Sequence, residues 1–176
     1  MLNGINTRSA APWPGTSRQV ASTASRHIFN QHIVLKIDAL YSAAISLPGG
    51  GMMNAHVFKA DNFSPENPVM LVKGRDVDGT YFETEVNIND LNRGNLSFVE
   101  MFALDGYFRA NGKPCGLSRS TGNAMAAMND VASNAFTQFN VLPFLQNHME
   151  TQRIHGNWAG FNAIRAVIDN FLNHFA

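Results

Sequence analysis

The stretch Asp76-Val77-Asp78-Gly79 spells a fragment of a calcium-binding loop, and a sheet face shared with Glu83 and Glu85 would gather three carboxylates. Calcium takes roughly six or more oxygens from a loop of suitable length, and the remaining ligands are missing here. A hairpin turn accounts for the same residues, because Asp-Gly supplies the positive φ that tight turns require. Histidines stand at positions 27, 32, 56, 148, 155 and 174, without a His-Glu-x-x-His spelling and with no pair spaced i, i+4. His148 and His155 would lie two turns apart on a continuous helix, too far along its axis for one metal to take both easily. Gly116-Leu117-Ser118-Arg119-Ser120 lacks the closing glycine of a nucleophile elbow. Cys115 lies in a turn with Gly and Pro and needs a basic neighbour in space to become a reactive thiolate, which a sequence does not show. Glu100 has the spacing of a helix cap rather than of a catalytic acid. No catalytic residue, metal ligand or cofactor site is therefore assigned.

Composition narrows the function classes further. Thirteen basic and thirteen acidic residues give zero formal charge, and no Lys/Arg cluster follows a phosphate backbone, which argues against nucleic acid as a partner. Cys115 is the single cysteine, so neither an internal disulfide nor a cysteine-based zinc cage can form within one chain. No apolar run is long enough to span a bilayer, and no classical signal peptide opens the sequence. The expected location is the cytoplasm, or outside the cell by another export route. The Asn62-Phe63-Ser64 and Asn95-Leu96-Ser97 glycosylation patterns then read as chance.

The elements that would position these residues are clearest between Pro68 and Gly112. Val69–Val72 and Tyr81–Ile88 are β-rich runs flanking Asp78-Gly79, which predicts an antiparallel hairpin. A two-residue turn places Leu71 opposite Val86 and Val69 opposite Ile88, with Phe82 on the same buried face and Glu83, Glu85 and Asn87 on the wet one. A bulged turn would shift that register by one residue. Ser97 and Glu100 have capping-box spacing, and Leu96 with Met101 that of a hydrophobic staple. The pattern predicts a helix from Phe98 to about Asn111, burying Met101, Leu104 and Phe108 and ending at Gly112 before Pro114.

Elsewhere, residues 1–28 read as a flexible tail, rich in small polar residues and without an acid before Asp38. On a helix, Val20, Ala24 and Ile28 would face away from Arg18 and Arg26, a composition shared with transit peptides and export leaders. His32 to Leu47 divides between strand and helix signals, and helical spacing of Ile33, Ile37, Leu40, Tyr41 and Ala44 favours a helix. Pro48-Gly49-Gly50-Gly51 is a connector rather than a phosphate loop, and Ala55–Lys59 a short strand. Three amphipathic helices follow: about Thr121 to Asn140, one with Pro143 in its first turn running through His155 to Gly156, and one after Asn157 with a stripe from Trp158 to Phe175. The fold class is α+β, a single domain over residues 29–176 with a small antiparallel sheet of three or four strands packed by C-terminal helices.

Asn67 to Gly74, Asp78-Gly79, Val86 to Asn92 and Phe98 to Leu104 together resemble small uncharacterised proteins of clostridial, Gram-positive bacteria, some encoded near motility genes. The likeness covers about a quarter of the chain and implies no catalytic residue. The expectation is a non-enzymatic interaction or accessory protein, by the resemblance of a bacterial surface or motility system, with a protein partner or self-association. The alternative is a small-molecule-binding domain or an enzyme with a site between sheet and helices, where His56, Cys115 and the hairpin acids converge.

Overall fold

The computed structural model describes residues 39–47, 51–114, 116–128 and 134–176. The tail over 1–28, the region 29–38 and Cys115 lie outside the described residues. Within them the architecture is α+β: an antiparallel sheet of order β1-β2-β3-β4, comprising β1 (Tyr41–Ser46), β2 (Met52–Lys59), β3 (Val69–Arg75) and β4 (Tyr81–Asn87), covered by helices. Each strand pairs with its sequence neighbour, so the sheet is a meander.

β1 overturns the helix expected up to Leu47. Ala43 and Ile45 are buried while Ser42, Ala44 and Ser46 are exposed, a strand's period of two. Tyr41 and Ala44, which fit helical spacing, instead pair with β2 opposite Val57 and Asn54. The Leu47 N–H donates to the Gly51 carbonyl at 2.8 Å, closing the hairpin around residues 48–50, which are outside the described set.

The β3–β4 register is one residue away from the two-residue-turn expectation. Met70 faces Val86, Leu71 faces Glu85 and Lys73 faces Glu83. The cause is the turn: Gly79 has φ +84° and its N–H bonds the Asp76 carbonyl at 2.9 Å, while the Asp76 N–H bonds the Thr80 carbonyl at 2.9 Å. Three residues, Val77, Asp78 and Gly79, thus separate that last pair, a turn ending in a left-handed glycine. Met70, Val72 and Phe82 consequently fill the core, whereas Leu71, expected inside, is half-buried on the opposite face.

The helices begin with α1 (Phe98–Ala110), capped as the sequence predicts: Ser97 and Glu100 form a full capping box and Gly112 follows with φ +66°. The expected stripe of Met101, Leu104 and Phe108 is buried, but so are Val99, Phe102, Ala103 and Gly106, because α1 is covered on more than one side. It lies across β1, β2 and β3 and touches α2 (Leu117–Met128). Gly106 allows that closeness, since a Cβ there would sit 2.5 Å from Val57 Cγ1.

The long helix expected to reach Asn140 does not include residues 134–140. Asn134 Oδ1 accepts from the Phe136 and Thr137 N–H groups, the local bonding by which asparagine competes with helix. Phe139 then forms an antiparallel bridge with Leu96, each N–H bonding the other's carbonyl at 3.0 and 3.1 Å. α3 (Val141–Ile154) carries Pro143 in its first turn and is followed by Gly156 at φ +69°; α4 (Trp158–His174) is capped by Asn157. The α4 stripe packs on α3 and α2 through Ile164, Val167, Ile168 and Phe171, while Trp158 remains 60% exposed.

Candidate functional site

The sheet has two unlike faces. Toward the helices it is apolar; away from them, the register aligns Ser42, His56, Lys73 and Glu83 in one row across all four strands. Ser42 Oγ and His56 Nδ1 are 2.8 Å apart, Lys73 Nζ is 3.0 Å from Glu83 Oε1, and the Tyr81 hydroxyl donates to Glu83 Oε2 at 2.9 Å. The Lys73 and Tyr81 bonds hold the Glu83 carboxyl below its ordinary range, and the same Glu83 bond holds the Tyr81 phenol above its own. These groups are largely exposed, so solvent screens their attraction.

A serine bonded to a histidine is the minimum of a nucleophile pair, but this one sits on a flat strand surface. Backbone N–H groups in a sheet lie in its plane, so none points up to stabilise an oxyanion above Ser42. His56 has Ser42 and Lys73 as its cross-strand neighbours, and among the described residues no carboxylate bonds it. The row therefore brings His56 and Glu83 onto one face without acyl-transfer geometry. Asp76 does not join them. The shifted register turns it to the other side, where Oδ1 accepts from the Val77 and Ala135 N–H groups at 2.7 and 2.8 Å. Among the described residues no three His, Cys, Asp or Glu side chains cluster to hold a metal.

Asp105 escaped the sequence reading. Fully buried on α1, it accepts from the Gly116, Leu117 and Ser118 N–H groups at 2.6, 2.7 and 3.0 Å and from the Ser118 hydroxyl at 2.6 Å. It caps α2 from the neighbouring helix, satisfying donors that would otherwise be orphaned in the interior. Burial pushes its carboxyl above the ordinary range, and these four bonds oppose the rise. Ser118 is thereby a buried support, not an elbow nucleophile. The signal could not have been read locally, since nothing in sequence links Asp105 to residues more than ten positions on. His174 is likewise enclosed by the rings of Tyr107, Phe108 and Phe175, and burial lowers its pKa.

Concavities occur at both edges of the sheet. Beside β1, a space of about 490 Å³ is lined by Tyr41, Ser42, Arg109, Gly116 and Arg119, although the backbone donors of α2 nearby are already committed to Asp105. Beside β4, a groove of about 380 Å³ runs between Thr84–Asn87 and a wall that includes Val99, Glu100, Phe136 and Gln138. Phe136 is 49% exposed and held edge-on against Phe82, with ring centroids 5.3 Å apart. Gln138 donates to Glu100 at 3.1 Å, tying the far wall to the capping box.

The edge strand facing this groove has a defined polarity. The Asp76–Thr80 bond at one end and the Ile88–Pro68 bond at the other (3.1 Å) fix which pairs carry the β3–β4 ladder. Thr80, Phe82, Thr84, Val86 and Ile88 turn their backbone groups inward, so Tyr81, Glu83, Glu85 and Asn87 present theirs outward. Among the described residues no strand pairs with this edge, and an unpaired edge beside a partly apolar groove is what an incoming extended strand requires. Charged side chains at 83 and 85 also guard such an edge against indiscriminate pairing. Comparison with protein families, curated proteins and solved structures found no match to this chain.

Proposed function

We propose that this chain is a non-enzymatic interaction protein that binds an extended segment of a partner by adding it as a strand to β4. The observation that carries this reading is the juxtaposition of outward backbone groups at Glu83, Glu85 and Asn87 with the groove under Val86 and Phe136. Main-chain bonds would supply attachment, and side chains entering the groove would supply selectivity. An accessory role in a bacterial surface or motility system is the setting suggested by the sequence resemblance.

The alternative, a small-molecule-binding domain or enzyme, has the 2.8 Å Ser42–His56 contact in its favour. Ser42 also borders the 490 Å³ space beside β1, but His56 is not among the residues that line that space.

Glu85→Pro tests the first reading, because the proline removes an outward donor and leaves the inward ladder intact. Peptides selected from a displayed library against the full chain should lose binding to Glu85→Pro and to Phe136→Asp. Selected peptides that bind both variants as well as the parent would place recognition elsewhere.

A further inference from the structure

We infer that the strand accepted by β4 alternates basic and apolar residues, a specificity that rests on the strand-addition reading above. In an added strand, residues directly opposite Glu83 and Glu85 share their face of the sheet, and the residues between them face the helix side. On the first face the charge is already half answered. Glu83 takes Lys73 from β3, whereas Glu85 stands opposite Leu71, and among the described residues no cation reaches its carboxylate. A lysine or arginine opposite Glu85 would complete the pattern that Lys73 begins.

On the second face the added side chains meet Val86, Leu91, Val99 and Phe136, with Asp90 and Glu100 at the border and, among the described residues, no lysine or arginine in the lining. Apolar residues suit the former, and the carboxylates of Asp90 and Glu100 disfavour an acidic strand. The same charges disfavour the β4 and β1 edges of a second copy as partners. Two β4 edges brought together would set Glu83 and Glu85 against their copies, a like-charge contact, and β1 offers only Ser42, Ala44 and Ser46 on its wet face. Charge complementarity at Glu85 assigns the occupant as a basic, alternating segment of another protein.

The test uses the full chain and three capped heptapeptides: Thr-Lys-Val-Lys-Val-Lys-Thr, its counterpart with glutamate for lysine, and a scramble grouping the lysines together. Calorimetry should show the alternating lysine peptide binding about tenfold more tightly than either control, with the advantage shrinking at high salt. Glu85→Lys should reverse the order of the lysine and glutamate peptides, and Glu85→Gln should flatten it. Hydrogen exchange at the Glu83 and Glu85 amides separates the two levels of argument. If the glutamate peptide or the scramble protects these amides as strongly as the lysine peptide, the basic alternation is wrong while strand addition stands. If no peptide protects them, strand addition itself fails and the inference falls with it.

Discussion

α1 and α2 both begin on a carboxylate, and the two carboxylates arrive from opposite directions. Glu100 belongs to the helix that it caps: its Oε2 accepts from the Ser97 N–H at 2.6 Å, and the Ser97 hydroxyl accepts in return from the Glu100 N–H at 3.3 Å. Asp105 belongs to a different helix and reaches across to Gly116, Leu117 and Ser118 from a position without solvent. The first device specifies where a helix starts; the second specifies where it must lie relative to its neighbour. Glu100 is half-buried, so water can take up part of what its cap supplies when it is broken. A buried interhelical cap has no such replacement.

The largest expected effect is therefore at Asp105. Replacing it with alanine leaves several interior donors unpaired and should cost about 3 kcal/mol or more in urea unfolding. A loss no greater than that of a surface cap would erase the distinction between the two helix starts. The pH dependence sharpens it. Burial raises the Asp105 carboxyl, so the folded chain holds this proton more tightly than the unfolded one. Its contribution is then fully present below the ordinary carboxylate range and is lost as pH rises through the raised value. Relative to Asp105→Asn, which does not titrate, the parent should lose stability across that window. A parent that gains stability there would show the four donors outweighing burial.

Smaller changes are expected at the local cap. Ser97→Ala should cost about 1 kcal/mol, the usual loss for a polar N-cap. Smallest of all, Glu100→Gln should cost under about 0.5 kcal/mol, because the amide oxygen can still accept from the Ser97 N–H. A Ser97→Ala protein as stable as the parent would remove the capping role from both residues.

The same contrast explains what could be read in advance. The α1 start was legible because Ser97, Glu100, Leu96 and Met101 carry their whole signal within one turn. The ends at Gly112 and Gly156 were legible for the same reason. β1 was not, since the small residues of Tyr41–Ser46 satisfy helical and strand periods alike until β2 pairs with them. Asp78-Gly79 announced a hairpin but not its register, because both two- and three-residue turns use that pair. Asp105 and the β4 groove depend on residues far apart in sequence. His56 and Glu83 were recognised as chemical candidates, yet their common row could be placed only after the strand order and register were known.

The bridge between Leu96 and Phe139 has a kinetic consequence. The meander can zip hairpin by hairpin, each closing a short loop at little entropic cost. The bridge instead encloses α1 and α2 in one long loop, which gains no compensating contact until both helices have docked. It should therefore form late in folding and add little to the folding rate. Weakening it, for example by Phe139→Ala, should act chiefly on the unfolding limb of a chevron, making this tether a determinant of how long the native state persists.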